Sequence, residues 1–218
     1  MVTAEITISA KELLNLKYPM EYIGLGWETY EDISEELGES SSLHITFNKG
    51  TLTIMPVTEL HELLTGLLHD FIRFAGLFLR TNVIATGKAT LRSEKRNLGV
   101  EPDLSYFVSK ADIHEIKRNV LNELEMPPDI VAEIDFYHLS DDKFEIYAEF
   151  KISEFWQYQD EKLKIFELRE NGEYKEIEHS KQLPILTSAI LTEFLNRGQN
   201  EEQLKVLMDF QEWLKVNK

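Results

Sequence analysis

Three carboxylates and one lysine are the residues of this chain best placed to do chemistry. The run Asp129–Asp135, "DIVAEID", alternates as a strand, with Ile130, Ala132 and Ile134 on one face and Val131, Glu133 and Asp135 on the other. Two carboxylates on one face of a central strand are costly, because burial and mutual repulsion both raise their pKa. A cation relieves both costs. The stretch "VEPDLSYFV", residues 100–108, sets Glu101 and Asp103 at the mouth of another apolar strand, where Asp103 can add an oxygen donor. An all-oxygen cluster of this kind suits a hard divalent ion, Mg²⁺ or Mn²⁺. Lys143 stands ten residues after Glu133, in the first turn of a helix that Ser140, Asp141 and Asp142 start. The helix dipole disfavours a lysine there, by about 0.3–1 kcal/mol. Turned back toward the carboxylates, its ammonium would orient or deprotonate a water, or offset charge on a phosphate transition state. Each residue also has a plainer account: Asp103 as a turn residue after Pro102, Glu133 in an ion pair, Lys143 on a solvated surface. It is the combination that favours a site over these plainer accounts.

The elements that must position these groups follow from periodicity. "ISAKELLNLK" reads as a short helix, with Ser9 and Glu12 at capping-box spacing. "YPMEYIGLGWETYEDISEELGESSS" reads as an acidic, irregular surface excursion. "SLHITFNKGTLTIM" is a hairpin turning at Asn48-Lys49-Gly50. "TELHELLTGLLHDFIRFAGLFL" is the clearest helix, with Leu60, Leu63, Leu64, Leu67, Leu68, Phe71 and Ile72 at helical spacing. One or two strands follow over residues 82–93. "SKADIHEIKRNVLNEL" is helical, and Pro127-Pro128 stop it. "SDDKFEIYAEFK" is helical again. "EFWQYQ", "KLKIFEL" and "YKEIEH" form three antiparallel strands, the last two joined through Asn171-Gly172. Two helices close the chain. The expectation is an α/β domain with a central sheet flanked by helices. Phe155, Trp156 and Tyr158 alternate as core and strand positions rather than as a base-stacking platform. The last helix turns Leu204, Leu207, Met208, Trp213 and Leu214 toward the domain's own core or a homodimer contact.

Composition bounds the rest. The 218 residues fit one domain of ordinary size and could just fit two small ones, and no cysteine is present, which excludes disulfides, thiol nucleophiles and Cys-based zinc sites. No apolar run is long enough to cross a bilayer, and the N-terminus lacks the pattern of a signal peptide, so the expected compartment is the cytoplasm. The net charge of −16 counts against a nucleic-acid substrate unless a local basic groove exists. The richest candidate is "KATLRSEKR", with Lys88, Arg92, Lys95 and Arg96, which also reads as a solvated hairpin. The histidines form no zinc-protease motif, and no P-loop, G-x-S-x-G or dinucleotide fingerprint occurs.

The order of these parts resembles the PD-(D/E)XK nuclease superfamily, and within it the Uma-two family of restriction-endonuclease-like proteins. The resemblance covers residues 8–196 and rests on "SAKELLNL", "GTLTIMP", "EPDLSYFV", "PPDIVAEI" and "KFEIYAEFKISEFWQY". Its most specific part is the spacing Lys143…Tyr147…Glu154-Phe155-Trp156. It implies a restriction-endonuclease-like mixed sheet flanked by helices over residues 1–218, with 1–40 and 197–218 as elaborations. It implies Asp103 and Glu133 as metal-binding acids, the Ile134 backbone carbonyl as a further ligand, and Lys143 as a catalytic lysine moved from the strand to the next helix. His61 or Glu62 would be an accessory site residue; Glu101 takes no fixed role. Asp135 stands where relatives often carry an apolar residue, and is either another ligand or an edge-facing charge. "KISEFW" replaces a glycine-containing turn, and the segment between Glu133 and Lys143 is short. The implied activity is Mg²⁺- or Mn²⁺-dependent hydrolysis of DNA, with symmetric pairing of two copies in reach. The alternative is a catalytically inactive module of the same fold that binds or regulates, or an acidic partner-binding protein.

Overall fold

A computed structural model describes residues 13, 15–38, 42–86, 90–108, 127–139 and 141–217. The expected helix over 109–124, Ser140, Lys88 and nearly all of the expected N-terminal helix lie outside them. Contacts divide the chain into two compact units, residues 1–57 with 92–101, and residues 58–91 with 102–218.

The first unit is built on a five-stranded sheet in the order β1-β3-β2-β6-β5, with β1 Met20–Ile23, β2 Leu43–Asn48, β3 Thr51–Pro56, β5 Leu91–Ser93 and β6 Leu98–Val100. The β2–β3 hairpin turns on Lys49 and Gly50, both at positive φ (48° and 99°), the geometry a tight two-residue turn demands. The stretch expected to be irregular instead contains β1 and helix α1, Trp27–Leu37. Tyr30 and Ile33 are the reason: they are buried against Leu43, Ile45, Phe47, Leu52 and Ile54, and Tyr30 stacks on Phe47 at 5.0 Å. Apolar residues at three- and four-residue steps, Trp27, Tyr30, Ile33 and Leu37, hold the helix despite its acidic outer face.

The second unit carries a six-stranded mixed sheet, ordered β11-β10-β9-β8-β7-β4. Its strands are β4 Val83–Ala85, β7 Leu104–Val108, β8 Ile130–Ile134, β9 Glu154–Gln159, β10 Lys162–Leu168 and β11 Tyr174–Ile177. Among the described residues of this sheet only β8 and β9 run parallel, and helix α3, Asp141–Glu149, makes the crossover between them. One face packs on helices α2 (Glu59–Leu79), α4 (Ser188–Gly198) and α5 (Gln203–Val216). There Tyr106, Ile130, Ala132, Ile134, Trp156 and Ile165 meet Leu64, Leu68, Phe71, Leu191, Phe194 and Phe210. The α4–α2 contact is so close that a Cβ on Gly198 would lie 2.2 Å from a methyl of Leu67. The apolar half of the opposite face is covered by α3, where Phe144 packs edge-on against Phe155 and Phe166, each at 4.8 Å.

Phe155, Trp156 and Tyr158 are buried, as core positions. The last helix differs in part from expectation. Leu214 enters the core and Leu207 and Trp213 pack against it, as expected, and Val206 and Phe210 join them, whereas Leu204 and Met208 are exposed, because the buried stripe that faces α2 and α4 is two residues out of step with them. Leu60 is likewise exposed, at the first turn of α2. Among the described residues, no helix is long and apolar enough to cross a membrane.

Candidate functional site

The face of the second unit's sheet that carries α3 changes character along its strands. Its apolar half is Val131, Phe155 and Phe166; its polar half is where the predicted acids meet. Leu104 pairs with Ala132 in the antiparallel β7–β8 register, so one residue further Asp103 lies opposite Glu133 on the same face. The two carboxylates therefore come from neighbouring strands but share one site, and each is almost wholly buried, at 2% and 1% exposure.

Each acid is held by specific donors. Asp103 Oδ2 accepts from the Ile134 N–H at 2.7 Å and lies 2.9 Å from His61 Nε2. The His61 backbone N–H in turn donates to Thr58 Oγ1 at 3.2 Å, the N-cap of α2, which fixes where the imidazole stands. Glu133 Oε2 is 2.7 Å from Lys143 Nζ, and Glu133 Oε1 accepts from the Tyr147 hydroxyl. Lys143 and Tyr147 are four residues apart and so lie on one side of α3, both buried. The short segment between Glu133 and Lys143 therefore leaves the lysine aimed at the acids.

Burial sets the electrostatics. It pushes the Glu133 carboxyl up to about 7, with the charge of Asp103 adding to it, and Lys143 and Tyr147 only partly offset this. Burial works to lower the Lys143 ammonium, but Glu133 and Asp103 outweigh it and hold the pKa above the ordinary lysine value. Burial and the Glu133 charge together push the Tyr147 hydroxyl well up, so it serves as a donor. His61 is likewise raised: burial opposes its charge, and the hydrogen bond and charge of Asp103 prevail.

The other expected residues are not all in this cluster. Asp135 points to the same face, buried at 5%, but its Oδ1 accepts from the Tyr137 N–H at 2.9 Å and its Oδ2 lies 3.4 Å from Gln159 Nε2. Glu62 is exposed on α2, next to His61. Glu101 belongs to the first unit, where its charge helps burial raise the Tyr30 hydroxyl. Arg92, Lys95 and Arg96 are exposed in that unit, the latter two on the short 3₁₀ turn Glu94–Arg96. Tyr147 was visible in the sequence only as a spacing, and its contact with Glu133 was missed; a tyrosine four residues after a candidate lysine was the available signal. Glu154 has a structural part. It accepts from Trp156 Nε1 (2.9 Å), Ser180 Oγ (2.8 Å) and the Lys181 and Gln182 N–H groups (2.5 and 2.9 Å), and so ties the segment after β11 to the sheet.

Among the described residues no group of three or more acidic or histidine side chains is arranged to hold a metal ion. Asp103 and Glu133 are two carboxylates in one site, the number through which Mg²⁺ is commonly held with several waters retained.

The model of the Uma2 family, described as "Putative restriction endonuclease", matches residues 27–198. The chain belongs to the Uma2 family. This Uma2 chain is also similar in structure to a protein from Anabaena variabilis ATCC 29413 described as a putative nuclease belonging to DUF820. The TM-score is 0.56 at 13% identity, over 78% of this chain and 99% of the other, a likeness of fold consistent with the restriction-endonuclease-like class. No curated protein matches the chain. The expected fold class and family are thus both found.

Proposed function

We propose that this Uma2 chain is a divalent-metal-dependent endonuclease that hydrolyses phosphodiester bonds in DNA. One observation carries the reading: Asp103, Glu133 and Lys143, from β7's approach, β8 and α3, converge in one buried cluster. Asp103, Glu133 and the Ile134 carbonyl would hold Mg²⁺ or Mn²⁺. Such an ion, when bound, supplies Lewis-acid polarisation of the phosphate and a more acidic water. The chain's own residues do the rest. His61 and the Ile134 N–H fix the Asp103 carboxylate, and Tyr147 fixes Glu133. Lys143 carries a positive charge into a site shielded from water, where it can orient the attacking water and offset the charge that builds on the phosphate oxygens. Asp135 is the outer acid of the face. The cytoplasm suits a chain without cysteines, and cutting both strands of a duplex suits a symmetric pair of copies.

A second reading, a binding or regulatory module without catalysis, rests on one observation. The carboxylates are already engaged by Lys143, Tyr147, His61 and the Ile134 N–H, and lie almost fully buried. Incubation of the protein with plasmid, linear duplex and single-stranded DNA in Mg²⁺ or Mn²⁺ decides between them. The nuclease reading expects metal-dependent cleavage that Lys143→Ala lowers at least a hundredfold, the scale of losing one charge-stabilising group. No cleavage of any substrate, with no rise in melting temperature on adding either ion, leaves the second reading.

A further inference from the structure

Two parallel rows of side chains cross the polar half of the site face, and both run in the same chemical order. In the first, Glu133 on β8 is opposite Gln157 on β9, and Gln157 is opposite Lys164 on β10. In the second, Asp135 follows Ile134, whose partner is Tyr158, so Asp135 falls beside Gln159; their side chains lie 3.4 Å apart, and Gln159 is opposite Lys162. Each row reads carboxylate, amide, ammonium. Each also runs from the interior outward: Glu133, Gln157 and Asp135 are buried, Gln159 is half-buried, and Lys162 and Lys164 are exposed. Alternation along β10 requires the two lysines to share this face, since Leu163 and Ile165 between and beyond them enter the core on the other.

We propose that Lys162 and Lys164 are the phosphate-binding edge of the site, seating the nucleic-acid strand beside the bond that is cut. The inference rests on the nuclease reading above. The backbone of Lys164 lies two strand spacings from that of Glu133, about 10 Å, which a lysine side chain shortens toward the site. A phosphate held there is a neighbour of the one at the acids, not the same one. Gln157 and Gln159 fill the gap without adding a negative charge, and the half-buried Gln159, with one amide N–H turned to Asp135, keeps a second that can donate to a phosphate or sugar oxygen. On a chain with a net charge of −16, a local pair of lysines next to the acids is what lets a polyanion approach them. Neither lysine takes part in an ion pair among the described residues. The acidic side chains turned to this face from the flanking strand are Glu176, opposite Phe166, and Glu178 just past the end of β11.

The test is equilibrium binding of a fluorescent duplex and a fluorescent single strand to the full chain in EDTA, across a salt series. Lys162→Gln/Lys164→Gln is compared with Lys175→Gln, whose position, opposite Glu167, faces the other side of the same sheet. The double variant is expected to bind about tenfold more weakly and to flatten the slope of log Kd against log salt by roughly 1.8, two phosphate contacts at about 0.9 each. Lys175→Gln is expected to bind like wild type, and both variants to melt like wild type. Wild-type binding that the double variant matches in affinity and slope overturns this inference alone. A wild-type chain that binds neither oligonucleotide overturns the nuclease reading, and this inference with it.

Discussion

Replacing Lys143 with methionine keeps the length of the side chain and removes its charge, which isolates what the ammonium does for Glu133. The pair sits at 2.7 Å with side-chain exposures of 8% and 2%, so water cannot take the place of the lost partner. Breaking a buried pair from one side costs about 3–5 kcal/mol, because a charge is left behind. In a chain of this size 1 kcal/mol moves Tm by about 2–4 °C, so Lys143→Met should melt roughly 6–20 °C lower in EDTA at pH 8. The loss must shrink in acid. The Glu133 carboxyl is raised from 4.5 to about 7 in the fold, so the folded state binds its proton more tightly than the unfolded chain does. Its effect is therefore to remove stability as pH rises from 4.5 through the folded value of about 7. Without Lys143 that window extends further upward, and at pH 5.5 the neutral acid needs no partner. Adding Glu133→Gln to Lys143→Met removes both charges and should return the protein to within about 1 kcal/mol of wild type, since a neutral replacement of a buried pair is often harmless. Thermal unfolding of the four proteins at pH 5.5 and 8 gives the full cycle. A single variant that melts with wild type at pH 8, or a double variant worse than the single, would refute the idea that Lys143 neutralises Glu133.

Three further outcomes follow from the same contacts. Mg²⁺ at a hundred times its Kd should stabilise the wild type by about 2.7 kcal/mol in thermal melts, and Asp103→Asn should abolish the shift. Tyr147→Phe removes the hydroxyl that donates to Glu133 and should cost about 1.5–3 kcal/mol, the range for a hydrogen bond to a charged group, as read by urea unfolding. Glu154→Leu removes the oxygen that accepts from the Lys181 and Gln182 N–H groups; hydrogen exchange at those two amides should quicken while the Ile134 amide keeps its protection.

The strands and helices of the second unit were legible because their burial is one-sided. Ile130, Ala132 and Ile134 against Glu133 and Asp135 is a period-two pattern, and α2 is a broad apolar stripe. The acids and Lys143 were legible as well, since a charge in an apolar strand, or against a helix dipole, breaks a local rule. What the sequence hid are contacts set by register. Nothing in "EFWQYQ" or "KLKIFEL" says that Gln157 and Lys164 align with Glu133; that depends on how β9 and β10 slide against β8. Helix α1 was hidden for a different reason. Its many acidic residues mask a narrow apolar stripe whose worth appears only once Phe47 is there to be covered. The phase of α5 was missed because Leu204 and Met208 are as apolar as the residues that enter the core, and only the neighbouring helices choose between the two stripes.

The crossover between the two parallel strands has a consequence for how such sites can be found. A lysine on a strand is bound to its acid by a fixed count of residues. A lysine on a helix lying over that strand is bound only by distance, and the intervening chain can lengthen or shrink without disturbing the pairing of β8 with β9. Relatives should therefore keep the position of the ammonium in space while its place along the chain drifts, and a search for a rigid linear signature would pass them by.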